Sequence, residues 1–385
     1  MLSKPQSACF VIADISGYTR FLAGVELDHA NDIIADLMGT VVRGLRPPFR
    51  LAKLEGDAAF AYAVADKVDG SLLQDAIEST YFAFRRRLRS VRQATVCACN
   101  ACKHMQDLDL KVVSHYGEFV KHAVAGRQEL AGPDVILIHR LLKNSVEETL
   151  RTPAYALFSD ACIRAMDIDP VVQGLIGHTE TIDLVGEVAC WLRDLDEAWR
   201  KENQRRRTEV TRDDAGAVFE YEVAAPRSRV WEYFTLPGHR RKWQDAEVAE
   251  RPQDGRRGVG TRNHCMHGKD AFIEDVVDWR PFDYVSMKEQ WPVPGAPKLV
   301  TTTAFTDLAD GGTLIEYRIA RVKPKDRPLV EDVLLPMFTK VMDGAVNTLR
   351  LVLKREKETA AVLEEPAVPV SSERFLSEPV RHPPH

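Results

Sequence analysis

Two short segments each run from an apolar strand into an aspartate at a turn: Phe10-Val-Ile-Ala-Asp14-Ile-Ser-Gly-Tyr18-Thr-Arg-Phe21 and Leu51-Ala-Lys53-Leu-Glu-Gly56-Asp57-Ala-Ala-Phe60. Their β-branched and aromatic residues favour extended backbone, and the small residues beside each aspartate turn it, so each carboxylate projects from a strand end. Two such carboxylates can share a divalent metal. Magnesium takes oxygen ligands from one or two protein carboxylates plus substrate phosphates, so the pair reads as a platform for a metal-nucleotide complex. On spacing alone, a capping or turn role explains either aspartate as well.

The wording of the segments, "FVIADISGYTRF" and "KLEGDAAFAYA", resembles the two metal-binding stretches of class III adenylate/guanylate cyclase catalytic domains. His115-Tyr-Gly-Glu118 resembles that family's H-x-G-E strand pair, and Gly132-Pro-Asp-Val-Ile136-Leu-Ile-His-Arg140-Leu its G-D-x-V-N-x-A-x-R-L helix. The resemblance spans residues 8–195 and implies a ferredoxin-like α/β sandwich. It also implies that the ribose 3′-hydroxyl attacks the α-phosphorus of a nucleoside triphosphate, giving a 3′,5′-cyclic nucleotide with Mg2+ or Mn2+ as cofactor. Asp14 and Asp57 match the metal-bridging aspartates, and Ile15 the position whose carbonyl joins them. Lys53 matches a base-contacting lysine and Glu129 its acidic companion, a pair that suits adenine, so ATP is expected over GTP. Arg140 matches the arginine that stabilises the transition state, a task suited to a guanidinium fork. Ile136 stands where the family has a ribose-orienting asparagine, and Pro133 replaces an aspartate. These losses point to a slow, repurposed or inactive cyclase. The family's sites form between two such domains, so a homodimer is also implied.

The sequence has 385 residues, enough for about two domains, and 45% hydrophobic content supplies packed cores. A net charge of −5 argues against a dedicated nucleic-acid binder, and the triplets Arg85–Arg87 and Arg205–Arg207 read as solvated faces. The N-terminus enters a strand without a charged-then-apolar leader, and no apolar run approaches the ~20 residues a membrane span needs. A soluble, cytoplasmic protein is expected. Seven cysteines fit reduced thiols better than a disulfide scaffold.

Cys97-Ala-Cys99-Asn-Ala-Cys102-Lys-His104 is outside the cyclase pattern. Its three thiols and one imidazole are four donors of the kind that hold Zn2+, but the second well-spaced knuckle is missing. A zinc or redox site and ordinary reduced cysteines both fit.

Residues 1–197 are read as the cyclase-like domain. Leu108–Ser114 and Phe119–Val124 are expected as paired strands around a Tyr116-Gly117 turn, and Ser71-Leu-Leu-Gln74 as the capping box of a helix. Residues 198–214, rich in charge and almost devoid of apolar side chains, read as a solvated linker. From residue 215 the order becomes strand, short helix, antiparallel strands and a long amphipathic helix that Pro336 kinks. "VAAPRSRVWEYFTLPGHRRKWQ" is similar to the opening of the START-like or SRPBCC superfamily, which implies a helix-grip domain over 215–356. Its apolar cavity would be lined by Trp231, Trp243, Trp279 and Trp291 and hold a small hydrophobic ligand; core packing accounts for these rings equally well. Residues 357–385 read as a disordered tail.

Overall fold

The computed structural model describes residues 4–23, 27–65, 67–94, 104–124 and 127–364. The chain opens with β1 (Gln6–Ser16), α1 (Tyr18–Ala23), α2 (Leu27–Leu45), the hairpin β2 (Arg50–Glu55) and β3 (Ala58–Val64), and α3 (Gly70–Ala94). It continues through β4 (Asp109–Val124), β5 (Arg127–Ala131), α4 (Pro133–Leu141), α5 (Val146–Leu150), β6 (Tyr155–Ser159), α6 (Asp160–Ala165), β7 (Ile176–Ile182), β8 (Gly186–Asp194) and α7 (Leu195–Gln204). The strands form one sheet in the order β2-β3-β1-β4-β6-β8-β7, with β5 on the far end of β4.

Strand periodicity explains the layering. β1 is buried on both faces. Cys9, Val11, Ala13 and Ile15 point to α2 and α3, where Leu37, Val41, Leu73, Ile77 and Phe84 meet them. The alternate residues Ala8, Phe10 and Ile12 pack with Phe60, Phe119 and Ile138 on the side of α4. Asp14 follows that second parity and belongs to the face of α4.

Three local expectations change. β4 is one continuous strand of 16 residues. Its first half pairs antiparallel with β1 from Ser16↔Asp109 to Gln6↔Phe119 and its second half pairs with β5. Gly117 does not turn the chain. It admits Asp134, whose Cγ would lie 2.2 Å from a Cβ at that position. The cap of α3 is Asp69, which accepts from Leu72 N at 2.9 Å, while Ser71 turns its hydroxyl away to Arg257 N. Residues 357–364, expected in the tail, continue the last helix.

The second half runs β9 (Ala215–Val223), α8 (Arg227–Thr235), α9 (Pro237–Gln244), β10 (Glu247–Arg251), β11 (Arg262–His267), β12 (Asp270–Arg280), β13 (Tyr284–Gln290), β14 (Leu299–Asp307), β15 (Thr313–Ala320) and α10 (Leu335–Glu364). All its strand pairs are antiparallel, in the order β10-β11-β12-β13-β14-β15-β9. The sheet grips α10, whose Phe338, Met342, Val346, Leu349 and Leu353 are buried. Pro336 lies within a continuous helical run from Arg327 to Glu364, so its missing N–H falls just after the irregular turn. A π-helical turn, Val330–Leu334, precedes it and is the irregularity at this end of the helix.

The charged stretch after α7 is pinned to the second sheet. Thr208 N donates to Asp278 at 2.7 Å, Val210 N to Thr302 Oγ1 at 2.8 Å, and Arg207 pairs with the fully buried Asp278. Arg207 therefore leaves the solvated face expected of its triplet. The two halves also share a buried contact: Arg256, between β10 and β11, pairs with Asp75 and Glu78 of α3, and Trp279 Nε1 donates to Asp75 Oδ2 at 3.0 Å. Among the described residues no helix is long and apolar enough to cross a membrane.

Candidate functional site

The β2–β3 hairpin and the end of β1 bring the two aspartates together. Glu55 pairs with Ala58, so Gly56, at φ 68°, and Asp57 form a two-residue bend. The Ile15 N–H donates to the Asp57 carbonyl at 3.1 Å, which fixes this bend against the strand carrying Asp14. Gly17, at φ 85°, turns the chain into α1 so tightly that a Cβ there would lie 2.8 Å from the Asp107 carbonyl.

Burial pushes the Asp14 carboxyl up to about 6; the nearby Asp57 charge adds to the rise and Lys111 opposes it. Asp57 is also raised, again by burial. Lys111, opposite Asp14 in the β1–β4 register, places Nζ 3.2 Å from Asp14 Oδ2. The site thus holds two carboxylates in a desolvated corner with one ammonium beside them. Lys111 was not singled out from sequence, because only strand register brings it there.

The β2–β3 hairpin also walls a cavity of about 280 Å³ whose lining includes Lys53, Glu55, Phe60, Tyr62, Glu129 and His139. Lys53 and Glu129, distant in sequence, therefore share one space. Glu55 Oε1 lies 3.7 Å from Lys53 Nζ, and its Oε2 meets His139 Nε2 at 3.1 Å. The imidazole packs edge-on against Phe60 at 4.8 Å. Glu55 and His139 are additions to the sequence-based set; their signal was the acidic hairpin and a helix position three after Ile136.

α4 starts at Gly132, and Asp134 occupies the corner left by Pro133. Its Oδ2 accepts from Glu118 N at 2.7 Å and its Oδ1 meets His115 Nε2 at 3.1 Å, while His115 Nδ1 contacts Ser159 Oγ at 2.7 Å. His115 is thus a buried tie between β4, α4 and β6. Further along α4, Ile136 is 57% exposed. Arg140 lines a surface hollow with Ile136 and Lys143 and donates to the Asp183 carbonyl in the turn between β7 and β8.

His104, the described member of the Cys-rich cluster, is exposed, and its Nδ1 contacts Asp107 at 3.1 Å. Cys97, Cys99 and Cys102 lie outside the described residues. Among the described residues no group of three or more His, Cys, Asp or Glu side chains converges to hold a metal; Asp14 and Asp57 stand as a pair.

In the second domain Trp231, Trp243, Trp279 and Trp291 are all buried. Trp231 packs on Trp279 at 4.8 Å and on Phe305 at 5.6 Å. Trp243 Nε1 donates to the Tyr233 carbonyl, Trp279 to Asp75 and Trp291 to Glu289. Only Trp291 adjoins a carboxylate inside the grip; Trp279 directs its polar edge into the first domain.

His239 stacks on Tyr233 at 4.8 Å, and its Nδ1 has no hydrogen-bond partner among the described residues. Burial, aided by Arg229 and Lys242 and opposed by Glu356, lowers it from 6.5 to about 4. In that window the unfolded chain binds a proton that the folded chain does not, so stability is lost as pH falls through it. In urea titrations at several pH values, His239→Phe is expected to flatten this decline; an unchanged slope would remove His239 as its cause.

Residues 34–149 match a family described as a protein of unknown function, DUF2652, and residues 205–354 match one described as polyketide cyclase / dehydrase and lipid transport. The second of these matches covers the helix-grip domain. Among solved structures, the guanylyl cyclase Cya2 is 16% identical and aligns with a TM-score of 0.39 over 50% of this chain and 93% of its own. The adenylyl cyclase CyaB from P. aeruginosa is 15% identical, with a TM-score of 0.35 over 50% of this chain and 99% of its own. The uncharacterized protein Rv2561/Rv2562 of Mycobacterium tuberculosis is 34% identical over 162 residues, which are 42% of this chain and 73% of that protein. At that identity, across nearly three quarters of the mycobacterial protein, the chain belongs to the same family.

Proposed function

We propose that the first domain binds a nucleoside triphosphate, ATP in preference to GTP, with Mg2+ or Mn2+, and converts it slowly to a 3′,5′-cyclic nucleotide. The observation that carries this reading is the desolvated Asp14–Asp57 pair, with a cavity lined by Lys53 and Glu129 on the hairpin that carries Asp57. The donor set fits the metal: Asp14, Asp57 and the Ile15 carbonyl offer only oxygen, which hard divalent cations prefer. Burial raises the Asp14 carboxyl, and a bound cation would favour its ionised form. When bound, the metal acidifies the ribose hydroxyl and neutralises phosphate charge.

The chain's own groups do the rest. Lys53 and Glu129 orient the base, and Phe60 and Tyr62 wall it from water. Lys111 is placed to meet the triphosphate. Arg140, on the surface of α4 beside exposed Ile136, Leu184 and Val185, supplies its guanidinium to the site of a second copy, in keeping with a homodimer. The SRPBCC domain holds a small hydrophobic ligand that sets the output.

Ile136 favours a second reading, nucleotide binding without turnover, because an isoleucine cannot hydrogen-bond to the ribose. Incubating the full chain with ATP or GTP and Mn2+ separates the two. Cyclic product that disappears in Asp14→Asn is expected. Bound nucleotide without product selects the second reading, and neither binding nor product overturns both.

A further inference from the structure

Glu274 and Glu289 stand opposite each other on β12 and β13, and the buried Arg240 is committed to Glu274. Arg240 bonds Glu274 through both terminal nitrogens at 2.7 Å each, and Asn263 Nδ2 adds a bond of 3.1 Å to the same carboxylate. The hydrogen-bond partners of Glu289 are all neutral. Thr301 Oγ1 donates at 2.6 Å, Tyr317 OH lies 2.6 Å from each oxygen, and Trp291 Nε1 donates at 3.0 Å.

Three donors leave about one of a carboxylate's roughly four acceptor positions open. Burying a carboxylate without a counter-charge is costly. Burial and the Glu274 charge both push the Glu289 carboxyl up, which measures the same cost.

Aromatic rings adjoin this group, two of them presenting their polar edges to it, Trp291 Nε1 and Tyr317 OH. Tyr317 stacks on Phe338 at 4.4 Å, Trp291 lies 5.7 Å from Phe338, and Phe272 lies 5.7 Å from Trp291. Phe338 rides on the first turns of α10, directly after the π-helical turn Val330–Leu334. Such turns occur frequently at functional sites. A buried carboxylate with a spare acceptor position and no charged hydrogen-bond partner, set among aromatic rings, attracts one chemistry above others: a cationic nitrogen, held by charge, on a frame that the rings pack against.

We propose that Glu289, with the rings of Trp291, Tyr317 and Phe272, is the headgroup site of the SRPBCC domain, and that its ligand is an organic ammonium on an apolar or aromatic frame. Phe338 covers the site, and its shift at the π-helical turn admits the frame. This inference rests on the reading of the domain as a ligand-binding module and adds the ligand's charge.

The test titrates the full chain with 2-phenylethylammonium, 2-phenylethanol and phenylacetate, followed by tryptophan fluorescence and calorimetry. The ammonium is expected to bind at least about tenfold more tightly than the alcohol, and phenylacetate most weakly. Glu289→Gln should reduce the ammonium to the affinity of the alcohol while leaving the alcohol unchanged. If that variant does not fold, the three wild-type titrations decide alone. Equal affinity for ammonium and alcohol overturns the charge assignment and leaves a neutral-ligand module. No binding of any probe overturns the module reading as well.

Discussion

Arg256→Ala is expected to lower the unfolding free energy by about 3–5 kcal/mol, one of the two largest effects any single change in this chain should have. The guanidinium lies 2.6 Å from Asp75 Oδ1 and 2.8 Å from Glu78 Oε2. Its removal leaves buried Asp75 without its cation and Glu78 with only the more distant Arg193, at 3.5 Å. Burial already raises Asp75. Burial would raise Glu78 too, but Arg256 and Arg193 hold it down to about 2. A carboxyl lowered in the folded state stabilises it above the unfolded value of 4.5 and loses that contribution as pH falls toward about 2. The wild type should therefore weaken through this acid window, and Arg256→Ala should lack that part of the decline. Arg256→Met with Asp75→Asn and Glu78→Gln should recover much of the loss, because it removes both the cation and the stranded charges. Urea unfolding read by tryptophan fluorescence measures this, since Trp279 also bonds Asp75. A loss below about 1 kcal/mol, the usual value of an exposed pair, would mean that the contact is not desolvated in solution.

That contact illustrates what local sequence can and cannot reveal. The placement of Asp57 at a bend and of Asp14 near the end of a strand was legible from strand-like runs that stop at turn residues, and parity along β1 settles which face Asp14 joins. The helix-grip order was legible for the same reason, from apolar periodicity and turn residues. Pairing across distant segments was not. Arg256 and Asp75 are separated by almost half the chain, and neither residue's neighbours betray the other. Lys111 reaches Asp14 only through the β1–β4 register, and a slip of one residue would put it on the opposite face. Gly117 misled for a physical reason: glycine marks both turns and close approaches, and here it makes room for Asp134. The charged segment 205–214 looked solvated because Asp278, Thr302 and Glu316, its partners, lie on strands far downstream.

Asp57→Asn should reduce metal-dependent turnover by about a hundredfold or more, while the fold stays intact. Asp57 occupies a hairpin bend, and its contribution to that bend is its main-chain carbonyl, which accepts from Ile15 N and survives the substitution. Relief of a desolvated carboxylate should make the variant slightly more stable without metal, so lost activity cannot be ascribed to unfolding. Mn2+ affinity, measured by calorimetry in the same samples, should fall in parallel. Ile136→Asn should act in the opposite direction. The side chain is 57% exposed on α4, so exchanging it costs little packing, and the new amide can hydrogen-bond to a ribose where the isoleucine cannot. If Asp57→Asn leaves the rate unchanged, the aspartate pair is not the metal platform. If Ile136→Asn does not raise the rate while Asp57→Asn abolishes it, slow turnover is set elsewhere, and Arg140, tied to the Asp183 carbonyl of its own chain, is the next group to release.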